Sequence, residues 1–377
     1  MKVMIVVTHL LGTGHLTRAL TLGRAFANAG DQVVLVSGGV PVGHLDFDGV
    51  ELVQLPPLKS DGVDFSRVLT AEGVVADAAY LEARQGALLD TFADSRPDLL
   101  ITELFPFGRR ILRAEFTALL LAAQTGKVPV LSSIRDILAP PSKPAKAAMA
   151  EALITTFYSG VLVHSVAEIA ALELSWPVSD ALRKRLYYTG FVAPSAPEVH
   201  PDGIGVGEVL VSAGGGSVGD HLFDAALGAA ALDHGRRWRL LVGGSAARVA
   251  DLRARAPENC TVDAARPDFR QMLRGAAVSV SMCGYNTALD VLQTGVRAVF
   301  VPFDAGDEVE QGLRADALAV QAGIAVLRAG DLTAQGLVDA LRSVEGAGPR
   351  APLVDGVDGA AETVRIARRI VEDRHAG

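Results

Sequence analysis

The sequence predicts an α/β protein of two successive doubly wound domains with an interdomain cleft. Three observations carry that prediction. Short Val/Ile/Leu runs without polar alternation recur along the chain, as expected of parallel strands covered on both faces. Each run leads through a Gly- or Ser-containing turn into a longer amphipathic stretch, the βα alternation of a doubly wound sheet. The series breaks once, at 193–207 (APSAPEVHPDGIGVG), where Pro and Gly accumulate and helical period is lost.

In the first half, strands are expected near 2–8, 32–37, 50–54, 98–102, 128–132 and 160–163, with helices near 15–30, 66–94, 107–125 and 143–157. Beyond the break, strands are expected near 208–211, 238–242, 260–262, 277–280, 297–301 and 325–327. Helices there fall near 219–233, 246–255, 268–274, 285–294, 308–322 and 333–342, and a terminal helix near 359–373. The domain reading is therefore 1–192, a linker 193–207, 208–357, and a C-terminal helix in 358–377. At 377 residues the chain suits two domains of roughly 150 residues each. Ligands of open parallel sheets bind beyond the carboxyl ends of the strands, so function belongs in the loops that follow them.

Composition narrows the function classes. Half of the residues are hydrophobic and 21% are charged, which excludes a mainly disordered chain. A net charge of −8 with scattered Arg argues against nucleic-acid binding, which needs concentrated positive charge. Cys260 and Cys283 have no second Cys or His at metal-ligand spacing, and such sparse cysteine usage fits a reducing cytoplasm. The opening MKVMIVV run is short, lacks a small-residue cleavage site and reads as a buried first strand. No segment approaches ~20 uninterrupted apolar residues, so any membrane association is at most peripheral.

Four loops carry chemistry. Gly12-Thr13-Gly14-His15 follows the first strand and opens a helix; the glycines allow close backbone approach, and the helix N-terminus favours negative charge. A dinucleotide fingerprint would need glycine where Thr17 stands. His15 is the candidate general base for a hydroxyl. In the second loop, strand 208–211 runs into Gly214-Gly215-Gly216-Ser217, whose amides and hydroxyl suit a diphosphate; without Lys it is not a P-loop. The third, Cys283-Gly284-Tyr285-Asn286-Thr287, enters a helix that carries Asp290 one turn on, where an acceptor-only carboxylate suits a ribose cis-diol. The fourth is Val301-Pro302-Phe303-Asp304 followed by Glu310-Gln311, an acid–amide pair able to read sugar hydroxyls.

Polar residues also gather after N-terminal strands. Glu103 and Asp136 are both candidates for a carboxylate that orients His15, and His164 lies near the same strand ends. Arg109 and Arg110, beside Phe105 and Phe107, suit an anionic or lipid-linked acceptor. Asp46-Phe47-Asp48 mimics a D-x-D metal motif but stands in an early loop without the rest of that architecture, and reads as a surface turn.

In their order and spacing these loops resemble those of the GT-B glycosyltransferases, specifically the MurG-type (family 28) group, over nearly the whole chain. The resemblance implies two Rossmann-like domains, an N-terminal one for the acceptor and a C-terminal one for a nucleotide-sugar donor, UDP-linked in the group. It implies Gly215, Gly216 and Ser217 at the diphosphate, Gly284, Asn286 and Thr287 near phosphate or sugar, and Asp290 at the ribose. Glu310 and Gln311 would meet the sugar hydroxyls, Arg266 would border the nucleobase, and Gly14 would line the donor site beside catalytic His15. It implies neither cofactor nor metal, since amides and helix dipoles serve the diphosphate. The acceptor would be an unidentified hydroxyl, lipid-linked or a polysaccharide precursor, met in the cytoplasm or at the inner face of the membrane. Two departures stand out: Val218-Gly219 replaces the usual Gln-Gly after the loop serine, and Asp290 stands where Glu is common. A nucleotide-sugar hydrolase or 2-epimerase, or a donor-binding subunit inactive without a partner, is the rival reading.

Overall fold

The computed structural model describes residues 1–43, 45–61, 67–214, 218–304 and 308–376. The chain divides into two compact units, Met1–Val192 with Asp358–Gly377, and Ala193–Val357.

The first unit runs β1 (Lys2–Val7), α1 (Gly14–Asn28), β2 (Gln32–Gly39), β3 (Glu51–Leu58), α2 (Ala78–Ser95), β4 (Leu99–Glu103), α3 (Arg113–Thr125), β5 (Val130–Arg135), α4 (Pro144–Phe157), β6 (Gly160–His164), α5 (Asp180–Arg183) and β7 (Leu186–Tyr188). All seven strands are parallel, in the order β3-β2-β1-β4-β5-β6-β7. Alternate residues of β1 serve opposite faces. Met4 and Val6 pack with Leu88, Phe116 and Ile154 from α2, α3 and α4, whereas Val3, Ile5 and Val7 pack with Leu16, Leu20 and Phe26 of α1. Burial on both faces is why the strands read as unbroken apolar runs.

The second unit repeats the plan with β8 (Glu208–Ser212), α6 (Asp220–Leu232), β9 (Arg237–Val242), α7 (Ala246–Ala254), β10 (Cys260–Ala264), α8 (Phe269–Gly275), β11 (Val278–Ser281), α9 (Tyr285–Thr294), β12 (Arg297–Phe300), α10 (Glu310–Leu318), β13 (Ile324–Val326) and α11 (Ala334–Gly346). Its six strands are also parallel, ordered β10-β9-β8-β11-β12-β13. Trp238, Leu240 and Val242 of β9 pack with Phe223 and Leu227 of α6 and Leu341 of α11.

Besides α5 and β7, which the sequence reading did not anticipate, three features differ from the sequence expectation. The final helix, α12 (Gly359–Ala376), belongs to the first unit: Val364, Ile366, Ala367 and Val371 join the α1 face of its core, and Arg368 bonds Ala29 O at 2.6 Å. The 193–207 segment clusters with the second unit. It is held there by His200 Nε2 on Asp268 (3.0 Å) and by Gln293 Nε2 donating to Pro194 O (3.0 Å). Finally, α2 begins only at Ala78, because Asp77 caps it by accepting Tyr80 N–H at 2.8 Å. Among the preceding residues, Leu69 instead bridges Lys59 and Val75 in antiparallel fashion.

Candidate active site

Each sheet reverses its winding at one place, between β1 and β4 in the first unit and between β8 and β11 in the second. Loops leaving such strands open a crevice at the carboxyl edge. Among the described residues, Gly14, His15, Glu103, Gly284, Asn286, Thr287 and Asp290 lie at the ends of those strands or in the first two turns of the helices that follow them.

In the first unit His15 is the second residue of α1, and Glu103 ends β4. His15 Nδ1 lies 2.8 Å from Glu103 Oε1. Arg18, one turn along α1, donates to the same oxygen. Burial alone would raise the Glu103 carboxyl, but Arg18 and the bonds from His15 and Ser133 hold it well below the usual carboxylate range. An ionised carboxylate can only accept, so the proton sits on His15 Nδ1 and the lone pair on Nε2. Nε2 has no partner among the described residues, and it reaches solvent. Burial, with Arg18 and Arg109 adding to it, lowers the His15 pKa to about 4 despite the opposing pull of Glu103. The ring is therefore neutral near pH 7.

The network continues inward. Ser133 Oγ donates its one proton to Glu103 Oε2 at 2.6 Å, so it accepts from His164 Nε2 at 2.9 Å. Thr189 Oγ1 lies 2.9 Å from the other ring nitrogen of His164, whose pKa burial pushes down to about 3. Of the two candidate acids, Glu103 is the one on the His15 ring; Asp136, one residue beyond β5, is buried.

A second buried assembly fixes the end of β1. Arg84, fully buried on α2, pairs with Glu115 through Nε (2.6 Å) and Nη2 (3.2 Å). It also donates to Gly38 O, Pro56 O and Thr8 Oγ1 at 2.9, 2.5 and 2.9 Å. A Cβ on Gly38 would fall 2.1 Å from Arg84 Nη2, so only glycine lets the guanidinium lie against β2. Thr8 O in turn accepts Arg109 Nε at 2.6 Å. The terminal amino groups of Arg109 have no partner among the described residues and reach solvent.

In the second unit Gly215, Gly216 and Ser217 lie outside the described residues. Their neighbours bracket the loop: Gly214 and Gly219 hold φ of 83° and 94°. A Cβ at Gly219 would meet Ala213 Cβ at 2.4 Å. Gly284 is the N-cap of α9 and supplies no side-chain cap. Asn286 and Thr287 follow in the first turn, Asn286 exposed, so amides and side chains at this helix start are available to an anion. Asp290 is buried one turn on, with Oδ1 accepting Arg270 Nε at 2.6 Å. Burial raises its carboxyl, and Arg270 opposes the rise.

Glu310 and Gln311 open α10, where Glu308 Oε1 caps their amides at 2.8 and 3.3 Å. Gln311 Oε1 accepts Phe303 N–H at 3.1 Å, which leaves its amide Nε2 as the available donor. Arg266 lies in the loop after β10, its guanidinium engaged bidentately by Asp268 at 2.8 and 2.6 Å. Arg314 Nη1 holds Cys283 O at 2.9 Å, tying α10 to the loop before α9.

Asp46-Phe47-Asp48 is a turn in which Asp48 N–H donates to Asp46 Oδ1 at 2.9 Å and Arg24 pairs with Asp46. Among the described residues no three His, Cys, Asp or Glu are grouped to hold a metal, and no helix is long and apolar enough to cross a membrane. Sequence reading missed Arg18, Ser133, Arg270 and Glu308. Of these, only Arg18, one turn beyond His15, and Glu308, just before α10, carried a local signal.

The whole chain superposes on several solved glycosyltransferases. Acinetobacter baumannii MurG aligns over 100% of this chain and 99% of its own, with a TM-score of 0.61 and 17% identity. Glycosyltransferase VinC, solved in complex with dTDP, aligns over 99% and 100%, with a TM-score of 0.61 and 17% identity. Phytolacca americana UGT2, solved with UDP-2-fluoroglucose and pterostilbene, aligns over 99% and 94%, with a TM-score of 0.58 and 16% identity. The chain has the GT-B fold. Within the second unit of this GT-B protein, residues 214–351 match the model of the glycosyltransferase family 28 C-terminal domain. That span contains the Gly219, Gly284–Asp290 and Glu310–Gln311 positions. No curated protein matches the chain.

Proposed function

We propose that this GT-B protein transfers a hexose or N-acetylhexosamine from a nucleoside diphosphate sugar, uridine-linked in the first instance, to a hydroxyl acceptor. The carrying observation is the His15 ring held through Nδ1 at 2.8 Å from buried Glu103, with Nε2 unpartnered among the described residues; its lowered pKa keeps the ring neutral. Nε2 takes the acceptor proton as the acceptor oxygen bonds to the anomeric carbon. The bond from that carbon to the diphosphate breaks, and the nucleoside diphosphate leaves with the electron pair. Gly215, Gly216, Ser217 and the α9 start at Gly284, Asn286 and Thr287 meet its charge with amide dipoles. Asp290 takes the pentose, Glu310 and Gln311 the sugar hydroxyls, and backbone beside Arg266 the base. Gly14 leaves room beside the reacting sugar. The amino groups of Arg109, without a partner among the described residues, suit an acceptor with an anionic group, as in a lipid-linked or polysaccharide precursor.

The family 28 match over 214–351 and the nucleotides in VinC and P. americana UGT2 support the donor class. The test is product analysis with UDP-sugars, with and without an acceptor panel. Acceptor-dependent glycoside formation that falls by ~10²–10⁴ in folded His15→Ala is the expected result. Free sugar or an epimer from donor alone would replace transfer by hydrolysis or 2-epimerisation. Nucleotide binding without turnover would make the chain a donor-binding subunit.

A further inference from the structure

Among the described residues, the Asp290 carboxylate has a partner on one oxygen only. Oδ1 accepts Arg270 Nε at 2.6 Å, and the same guanidinium donates through Nη2 to Gln293 Oε1 at 2.7 Å. Gln293 is fixed at its other end by donation to Pro194 O at 3.0 Å. The fork is therefore anchored on α9 and on the segment entering the second unit. Oδ2 of Asp290 has no partner among the described residues and reaches solvent.

We infer that this Arg270–Asp290 pairing makes the protein accept 2′-deoxyribonucleoside diphosphates nearly as well as ribonucleoside diphosphates. This rests on the reading of Asp290 as the pentose acid. A carboxylate gripping a cis-diol through both oxygens rejects the deoxy form strongly, because loss of one hydroxyl leaves a buried oxygen without a donor. Here Oδ1 is satisfied by Arg270 whether or not a 2′-hydroxyl is present. Oδ2 then bonds the remaining 3′-hydroxyl. Removing the 2′-hydroxyl orphans nothing and forfeits no more than one ordinary hydrogen bond.

The test is calorimetric titration of the full chain with matched pairs: UDP and 2′-deoxy-UDP, GDP and 2′-deoxy-GDP, ADP and 2′-deoxy-ADP. For the base that binds tightest, the deoxy form is expected within ~2–10-fold of the ribo form, the worth of one neutral hydrogen bond. In Arg270→Met the freed Oδ1 should widen the ribo preference by about tenfold, while Asp290→Asn weakens both members of the pair without widening their ratio. A deoxy form about 50-fold weaker or more in the wild type overturns the inference and leaves the donor site standing. Binding of both forms unchanged by Asp290→Asn overturns it by removing Asp290 from the pentose. If no diphosphate binds at all, the donor reading fails and the inference with it.

Discussion

Ser133 Oγ donates to Glu103 Oε2 at 2.6 Å, on the oxygen that His15 does not use. The carboxylate therefore has a donor on each side, and its charge fixes which nitrogen of His15 carries the proton. In Glu103→Gln the amide presents an oxygen to only one of the two. If its NH₂ turns toward His15, Nδ1 becomes the acceptor and Nε2 the protonated nitrogen, which cannot act as a base. Turnover should fall by ~10²–10⁴ with the circular dichroism spectrum retained. Unchanged kcat in the folded variant would take Glu103 out of the chemistry.

His15 and His164 give stability a definite pH sign. Their folded pKa values, about 4 and about 3, lie below the ordinary 6.5, so below that value the unfolded chain binds more protons than the native one. Their contribution is constant above about pH 7, and stability is lost as pH falls from about 6.5 toward 4 and then 3. Glu103, also lowered, acts in the same direction below its ordinary 4.5. Melting temperature should be level at pH 7–8 and decline below about 6.5, less steeply in His164→Gln. A melting temperature that rises between pH 7 and 5 would show that the buried rings are not held neutral.

How far the sequence was legible depends on the range of the interaction. The βα series was visible because Val3–Val7 and Val209–Val211 are buried on both faces, which leaves unbroken apolar runs. The α2 start was misplaced because the stretch ahead of Ala78 follows a helical apolar pattern but is bridged to Lys59. His15 and Glu103 were both singled out, yet 88 residues separate them and only the adjacency of β1 and β4 joins them. Choosing Glu103 over Asp136 therefore needed strand order. Arg270 was invisible for a similar reason: it sits on α8 as an ordinary surface-type residue, and its role appears only when α8 lies beside α9.

The Arg84–Glu115 pair invites a double-mutant cycle. Glu115→Leu leaves a buried guanidinium charge without its carboxylate, and Arg84→Met leaves buried Glu115 without its guanidinium and Gly38 O and Pro56 O without their donor. Each single change should cost ~3–5 kcal/mol in urea unfolding. Together they remove both charges, so the double variant should recover a large part of that loss. Additive losses would mean that the carbonyl bonds, rather than the ion pair, hold the end of β1.

Two glycines separate what the fold needs from what the ligand needs. Gly219 sits at φ 94°, and a Cβ there would meet Ala213 Cβ at 2.4 Å and Met282 Cε at 3.2 Å. Alanine at 219 therefore strains the backbone and forces Ala213 aside, a loss of about 1–2 kcal/mol from the left-handed conformation alone. Both melting temperature and UDP affinity should fall. Gly12 has no positive φ, and a Cβ there meets nothing within 4 Å. Alanine at 12 should leave stability unchanged or slightly raised, because it stiffens the unfolded chain. Its cost should appear only in turnover, if the space before Gly12 is filled by substrate beside His15. A Gly12→Ala variant with wild-type kcat and KM would place the reacting sugar away from the β1 loop.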